Sequence, residues 1–364
     1  MMFYDKPKLL GTLAGVVFAV LLSIQQLSVL FGLLDKNTML VDHSGADIWI
    51  TPPGTDELQP GEPLSDAVLI RARTTRGVAI AEPLVLSGGS VKRPDGGTEP
   101  VTLVGTRPPA WLGGPWALVD GTTEALLRPD TVIFEDSRRK ELGGINPGSR
   151  RELNEHLVTV GGFTWGLLPF APAYAFAELG LARRLTHMPG DNQSFVLVGV
   201  RKGADPDEVA KRLARRLPNT SVMTTVEFHD SIVGRLLANQ LGVSFGTATA
   251  FGLLIGFIVV SLSMFSSVLD HLQEFGMLKA IGCTNGELTW LLVAQSVAYA
   301  FFGSLIGLSA VVGVANGIRS AQLVPSVPHA LFFIAPVVML VLCVLASSLA
   351  LLRVRGLEPG MVFR

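Results

Sequence analysis

Ionised side chains are missing from four long stretches of this chain, 9–34, 236–269, 288–318 and 320–352. Each exceeds the ~20 residues that a helix needs to cross a hydrocarbon core of about 30 Å, which excludes an ordinary soluble domain over those stretches. Cysteine is nearly absent too. Cys283 and Cys343 are the only two, neither lies within 35–235, and they stand far apart. That excludes a disulfide framework for the charged middle and a cysteine-based metal site. No GxxxxGK[ST] sequence occurs, so the chain lacks a Walker A loop for nucleotide phosphates. No HExxH occurs either. The six histidines, 43, 156, 187, 229, 271 and 329, are scattered and read as surface or locally hydrogen-bonded residues, not ligands. A GxSxG match at Gly242–Gly246 lies inside an apolar run, whereas a nucleophile elbow needs a strand before it and a helix after it. A basic face for nucleic acid is also missing.

What is present divides cleanly. The uncharged runs read as four transmembrane helices: 1–34 with its N-terminal segment, 236–269 with a stalk, 288–318 and 330–352. The mixed-charge segment 35–235 reads as a large α+β domain inserted between the first two. A loop at 270–287, a short connection at 319–329 and a tail at 353–364 complete the layout. Lys6 and Lys8 precede the first run, and Arg353, Arg355 and Arg364 follow the last. The bias of basic residues towards the cytoplasm puts both termini inside, 35–235 outside and 270–287 inside. Asp35, Lys36 and Asn37 follow the first run without a small-residue cleavage site, which suits an uncleaved anchor.

Within the inserted domain, 46–51 and 68–73 alternate as strands. The Gly- and Pro-rich middle, about 85–190, reads as an inserted β-rich lobe with short strands near Val101–Val104 and Thr131–Phe134. Residues 194–200 predict a strand, Asp205 with Pro206 predicts the start of a helix through Arg216, and 221–225 a further strand. Thr224 and Glu227 have capping-box spacing. The absence of strong breakers after them predicts one helix from Val226 to Asp270. Ser23, Gln25 and Gln26 lie near the middle of the first span and are expected to face another helix or a partner subunit, since unpaired polar groups in hydrocarbon are costly. Gly11, Gly15, Gly242, Gly246, Gly252, Gly256, Gly303 and Gly307 are spaced as close-packing surfaces between helices.

The remaining stretch is Asp270–Glu287, DHLQEFGMLKAIGCTNGE. Its charges alternate in sign, and Leu272, Phe275, Leu278 and Ile281 recur at every third position, a spacing that suits a short amphipathic helix. Such a helix at the membrane surface could dock in a partner's groove through Phe275, Met277 and Leu278; an ordinary solvated turn is the alternative. Glu274, Phe275, Gly276, Leu278, Lys279, Ala280, Ile281 and Gly282 resemble the signature of the FtsX-like, MacB-type ABC permease superfamily. Gly356–Arg364, GLEPGMVFR, resembles its closing tail. Within it, the DevC-type permeases are most similar in size and in the pattern of 194–228. The chain departs from the signature at Gln273, Thr284 and Asn285, where basic residues are usual.

The resemblance implies a non-catalytic subunit of a multi-pass bacterial inner-membrane exporter. It implies that Glu274, Phe275, Gly276, Met277, Leu278, Lys279, Ala280, Ile281 and Gly282 couple to a separate cytosolic ABC ATPase, which binds the ATP and magnesium. This chain would bind no cofactor of its own. Further implied are a homodimer or close heterodimer, contact with membrane lipids and a periplasmic adaptor, with lipid, glycolipid or peptide as cargo. The other member of the superfamily implies a cargo-free transmitter controlling cell-wall hydrolases. A membrane-anchored receptor without an ATPase is the reading outside transport.

Overall fold

The computed structural model describes residues 6–55, 57–58, 61–165, 172–317 and 330–355. In chain order the first helix, α1, runs over Lys6–Asp42, past the apolar stretch and into the following polar residues. Then come β1 (Ile48–Thr51), β2 (Leu64–Ser65), α2 (Asp66–Arg73), β3 (Val78–Lys92), β4 (Thr98–Thr106), β5 (Leu118–Asp120), β6 (Thr131–Glu135), β7 (Arg150–Leu153), β8 (His156–Thr164) and β9 (Ala173–Glu178). Next are α3 (Leu179–Thr186), β10 (Asn192–Gln193), β11 (Phe195–Val200), α4 (Pro206–Arg216), β12 (Ser221–Thr224) and α5 (Thr225–Ala238). The chain continues as α6 (Gln240–Asp270), α7 (Leu272–Ala280), α8 (Asn285–Gly317) and α9 (Leu331–Arg355). These elements form two compact units: Leu33–Asn239, and the described residues of 6–32, 240–317 and 330–355.

The Leu33–Asn239 unit is an α/β domain on a mixed sheet of ten strands, ordered β12-β1-β11-β3-β4-β9-β6-β8-β5, with β7 joined to β3 and β8. β3 links its two halves. Its first half, Val78–Leu84, pairs antiparallel with β11, and its second, Val85–Lys92, with β4. β4 runs parallel to β9, and β6 parallel to β8. The strand, helix and strand expected at 194–200, 205–216 and 221–225 form as β11, α4 and β12: β11 and β12 lie on either side of β1, and Asp205 caps α4 by accepting a hydrogen bond from the Asp207 amide at 3.1 Å. The capping box at α5 is complete, with the Thr224 amide donating to Glu227 at 2.9 Å and the Glu227 amide to Thr224 Oγ1 at 3.3 Å. Trp49 is buried, edge-on to Phe195 and beside Phe228.

Two elements differ from their sequence reading. Residues 68–73 belong to helix α2, not a strand. Asp66 in its first turn and Arg71 and Arg73 in its last complement the helix dipole, and Leu69 and Ala72, three apart, form the buried face. The expected single helix from Val226 to Asp270 is broken at Asn239, whose backbone is extended (φ −82°, ψ −177°). Asn has low helix propensity because its amide competes for backbone hydrogen bonds.

The second unit packs α1, α6, α8 and α9 around one apolar cluster that includes Val16, Val20, Val260, Met264, Tyr299 and Met339. Leu9–Asp42, Gly242–Asp270 and Gly286–Gly313 are long and apolar enough to cross a membrane; the described apolar part of the last helix, Leu331–Ser347, is shorter. Among the described residues, three helices are thus long and apolar enough to span, where the sequence reading expects four. The connection 319–329 and the tail from 356 lie outside the described residues.

Candidate functional site

Glycine brings the membrane helices together in a definite register. A Cβ on Gly15 would overlap Val259, and one on Gly256 would lie 2.5 Å from Ala19. Thr12 and Ser263 share a hydrogen bond between the same helices. Contact numbers that rise on α1 as they fall on α6 make these two antiparallel. Gly303 instead receives Val16 and Gly307 receives Val20, so α8 runs parallel to α1. Gly252 lies beside Leu22 and Ser23, and Ser23 is buried while Gln25 is exposed. Gly11 and Gly246 meet nothing within 4 Å among the described residues. Gly242 is half-buried.

Between α6 and α8, the stretch 271–287 folds as a helix and a tight turn. The Phe275 amide donates to the His271 carbonyl at 3.0 Å, and His271 Nδ1 lies 3.1 Å from Glu274 Oε1. Gly282, at φ +104°, ends the segment. A left-handed residue lets the chain reverse so that the Cys283 amide reaches the Leu278 carbonyl at 2.9 Å, the bond that closes a Schellman motif. Thr284 then caps α8: its amide donates to Glu287 Oε2 at 2.8 Å, and the Glu287 amide to Thr284 Oγ1 at 3.3 Å. The Gly-x-Thr-x-x-Glu ending therefore has a structural meaning, stopping one helix and starting the next within four residues. Its Thr-x-x-Glu spacing is the readable signal that the sequence reading passed over.

The side chains of this segment divide by face. Phe275 is 2% exposed and belongs to the buried cluster with Met264, Val268, Leu288 and Leu292. Gly276 is buried, and Leu278 and Cys283 pack partly against that cluster. Met277 at 49% and Ile281 at 84% stand exposed, with Glu274, Ala280 and Gly282 also on the surface. The side chain of Lys279 lies outside the described residues. Phe275 therefore holds the segment to its own unit, correcting its expected place on the docking face. Among the described side chains of 271–287, the large apolar ones left exposed are Met277 and Ile281.

A second arrangement was not legible in the sequence. Lys36, on the end of α1, is buried against Glu135 of β6, with Nζ 3.3 Å from Oε2 and side chains 2% and 0% exposed. Glu135 also accepts from the Tyr174 amide at 3.0 Å and from Ser137 Oγ at 3.0 Å. The Lys36 ammonium sits 4.6 Å from the centroid of the Tyr174 ring, within cation–π range. Burial and the adjacent Glu135 carboxylate push the Tyr174 phenol pKa up. The signal was Leu40 and Val41 beyond the charged Asp35-Lys36: apolar residues, now buried, that continue the helix past its first charges.

A family model for the MacB-like periplasmic core domain matches residues 9–216, and one for the FtsX-like permease C-terminal matches 246–359. An uncharacterized ABC transporter permease of Methanocaldococcus jannaschii is 26% identical over 37% of this chain and 34% of its own length. A second, from Mycobacterium tuberculosis, is 24% identical over 58% of this chain and 25% of its own. The chain thus spans about a third and a quarter of these two relatives. Another uncharacterized ABC transporter permease of Mycobacterium tuberculosis is 24% identical over 100% of this chain and 97% of its own length. Among solved structures, the periplasmic region of MacB from Actinobacillus actinomycetemcomitans matches 52% of this chain and 94% of that one, at 12% identity and a TM-score of 0.39. The extracellular domain of the transporter YknZ from Gram-positive bacteria covers 49% and 98%, at 14% identity and a TM-score of 0.36.

Proposed function

The chain belongs to the MacB-like periplasmic core domain family, with an FtsX-like permease C-terminal part, and from that premise we propose that it is the membrane subunit of an ABC transporter driven by a separate cytosolic ATPase. In this reading α7 takes up the motion of the ATPase pair and the connected helices pass it to the α/β domain on the far side of the membrane. ATP and magnesium stay on the partner. The carrying observation is the firmly capped helix and turn at 271–287, which presents Met277 and Ile281 on a segment anchored from beneath by Phe275. A partner pushing on such a segment moves α6 and α8 together, because no slack chain separates them.

The work is mechanical in this reading, with no solute channel through the bilayer. The absence of ionised residues from the long apolar runs supports this, since a polar pathway uses such groups. The remaining parts of the proposal are a fourth span at α9, both termini in the cytoplasm of a bacterial inner membrane, a homodimer, and a periplasmic adaptor receiving a lipid, glycolipid or peptide as in DevC-type exporters. Replacing Met277 and Ile281 together by Asp keeps Phe275 and both caps. The doubly substituted chain is expected to lose at least tenfold of the ABC ATPase that co-purifies with the parent, and of its coupled stimulation. Undiminished association would remove α7 as the docking element. An outer protein retained by the parent identifies the branch: an adaptor supports export, a cell-wall hydrolase supports signalling.

A further inference from the structure

The histidines that look scattered in the sequence are not all apart in space. His156 opens β8 and His187 ends α3, yet their ring centroids lie 6.4 Å apart, and both line one open cavity of about 680 Å³ together with Met188. The approach is built by the backbone. Asn154 and Glu155, at φ +46° and +65°, form the two-residue turn of the β7–β8 hairpin, the left-handed pair that matches strand twist. Asn154 then fastens this turn, its Oδ1 accepting from the Ser90 amide at 2.8 Å and its Nδ2 donating to the Leu185 carbonyl at 2.9 Å. That second bond ties the hairpin tip to the last turn of α3. His187 adopts a left-handed conformation there, with its amide on the Arg184 carbonyl and the Met188 amide on the Arg183 carbonyl, so two independent turns deliver the imidazoles to one place.

The chemistry of the pair favours a cation. His156 Nδ1 lies 2.9 Å from the Asn154 carbonyl, an oxygen that can only accept, so Nδ1 carries the proton and Nε2 of the neutral ring keeps its lone pair. A backbone carbonyl that fixes the tautomer in this way is the usual support of a metal-binding histidine. The C-terminal end of α3 contributes partial negative charge. The arginines of the cavity wall are already engaged: Arg184 pairs with Asp130 at 3.1 Å, and Arg183 donates to the Asn192 carbonyl at 3.0 Å. With metal–nitrogen bonds of about 2.0–2.1 Å, two imidazoles sharing one ion have centroids roughly 5.2 Å apart at a tetrahedral angle and roughly 6.4 Å apart at a linear one, so the observed separation fits the near-linear pair that cuprous ion accepts. Met188 lines the same cavity while packing partly against the apolar core, and a thioether within reach of two imidazoles favours soft monovalent copper over harder ions.

We propose that His156, His187 and Met188 form a binding site for cuprous ion on the α/β domain. This is independent of the ATP-coupled role, and neither result bears on the other. The test uses the full-length chain carrying Cys283→Ser and Cys343→Ala, which removes competing thiols, titrated with cuprous ion against a chromogenic cuprous chelator. One equivalent is expected to be held by that chain. His156→Asn and His187→Asn should each weaken it at least tenfold, and Met188→Leu, which keeps the volume, a few-fold. X-ray absorption should show two imidazole nitrogens and one sulfur around the copper. Absence of retained copper, or retention unchanged in both histidine variants, overturns the site. Equal affinity for zinc with no effect of Met188→Leu overturns the cuprous assignment.

Discussion

At the scale of the residue, Lys36 and Glu135 show how a buried pair acts more as a constraint than as a source of stability. Taking both charges out of water costs several kcal/mol each, and their attraction offsets it only with good geometry and further hydrogen bonds. Glu135 has those from Ser137 and the Tyr174 amide. Lys36→Met removes one charged hydrogen-bond partner from the buried carboxylate and is expected to destabilise the protein by about 1.5–3 kcal/mol. Lys36→Met with Glu135→Leu should recover most of that loss. Thermal unfolding of the purified protein in detergent measures both, and a double variant no more stable than the single would show that the pair is worth more than an apolar contact. Neither residue could be singled out beforehand, because a lysine just past a span and a glutamate in a Gly-rich middle are both ordinary until the sheet brings them together. The residues of 274–282 were more legible. Their three-residue apolar spacing marked a short helix, which forms, but which side faces inward depends on α6 and α8, and that packing put Phe275 inside.

Among the elements, the helices were legible wherever one period dominated, and the caps wherever their side chains had fixed offsets. Asp205 with Pro206 and Thr224 with Glu227 are both local, so the sequence carries them entire. Residues 68–73 misled because Val-Leu-Ile-Arg-Ala-Arg satisfies a period of two as well as one of 3.6; Asp66 ahead of it was the better guide. The glycines were legible as a class but not singly, since spacing cannot tell a face that meets a helix from one that meets lipid. The structure separates them and predicts different tolerances. Gly256→Leu drives a side chain into Ala19 and should cost about 1–3 kcal/mol through overpacking, read as a lower melting temperature in detergent. Gly246→Leu enters open space and should leave it within the error of the measurement. Equal losses at both positions would contradict the antiparallel α1–α6 register.

For the whole molecule, four uncharged runs around a charged middle conveyed the division into two units before any coordinate. The ten-strand order was out of reach, because β3 takes a different partner along each half and nothing local marks the change at Leu84–Val85. The proposed orientation has its own check. In a Cys283→Ser background, Leu157→Cys should react with a membrane-impermeant maleimide on intact cells, and Ile281→Cys only after lysis. The opposite pattern would invert the membrane assignment and take α7 away from any cytosolic engine. The position of β1 between β11 and β12 also governs how the protein is made. Ile48 has to wait for Val198 and Thr224, and at a ribosomal pace of about 5–20 residues per second that delay is roughly ten to thirty seconds. Throughout that interval a strand of Ile, Trp, Ile and Thr is without its partners, so the sheet cannot close around β1 until nearly the whole α/β domain has been synthesised.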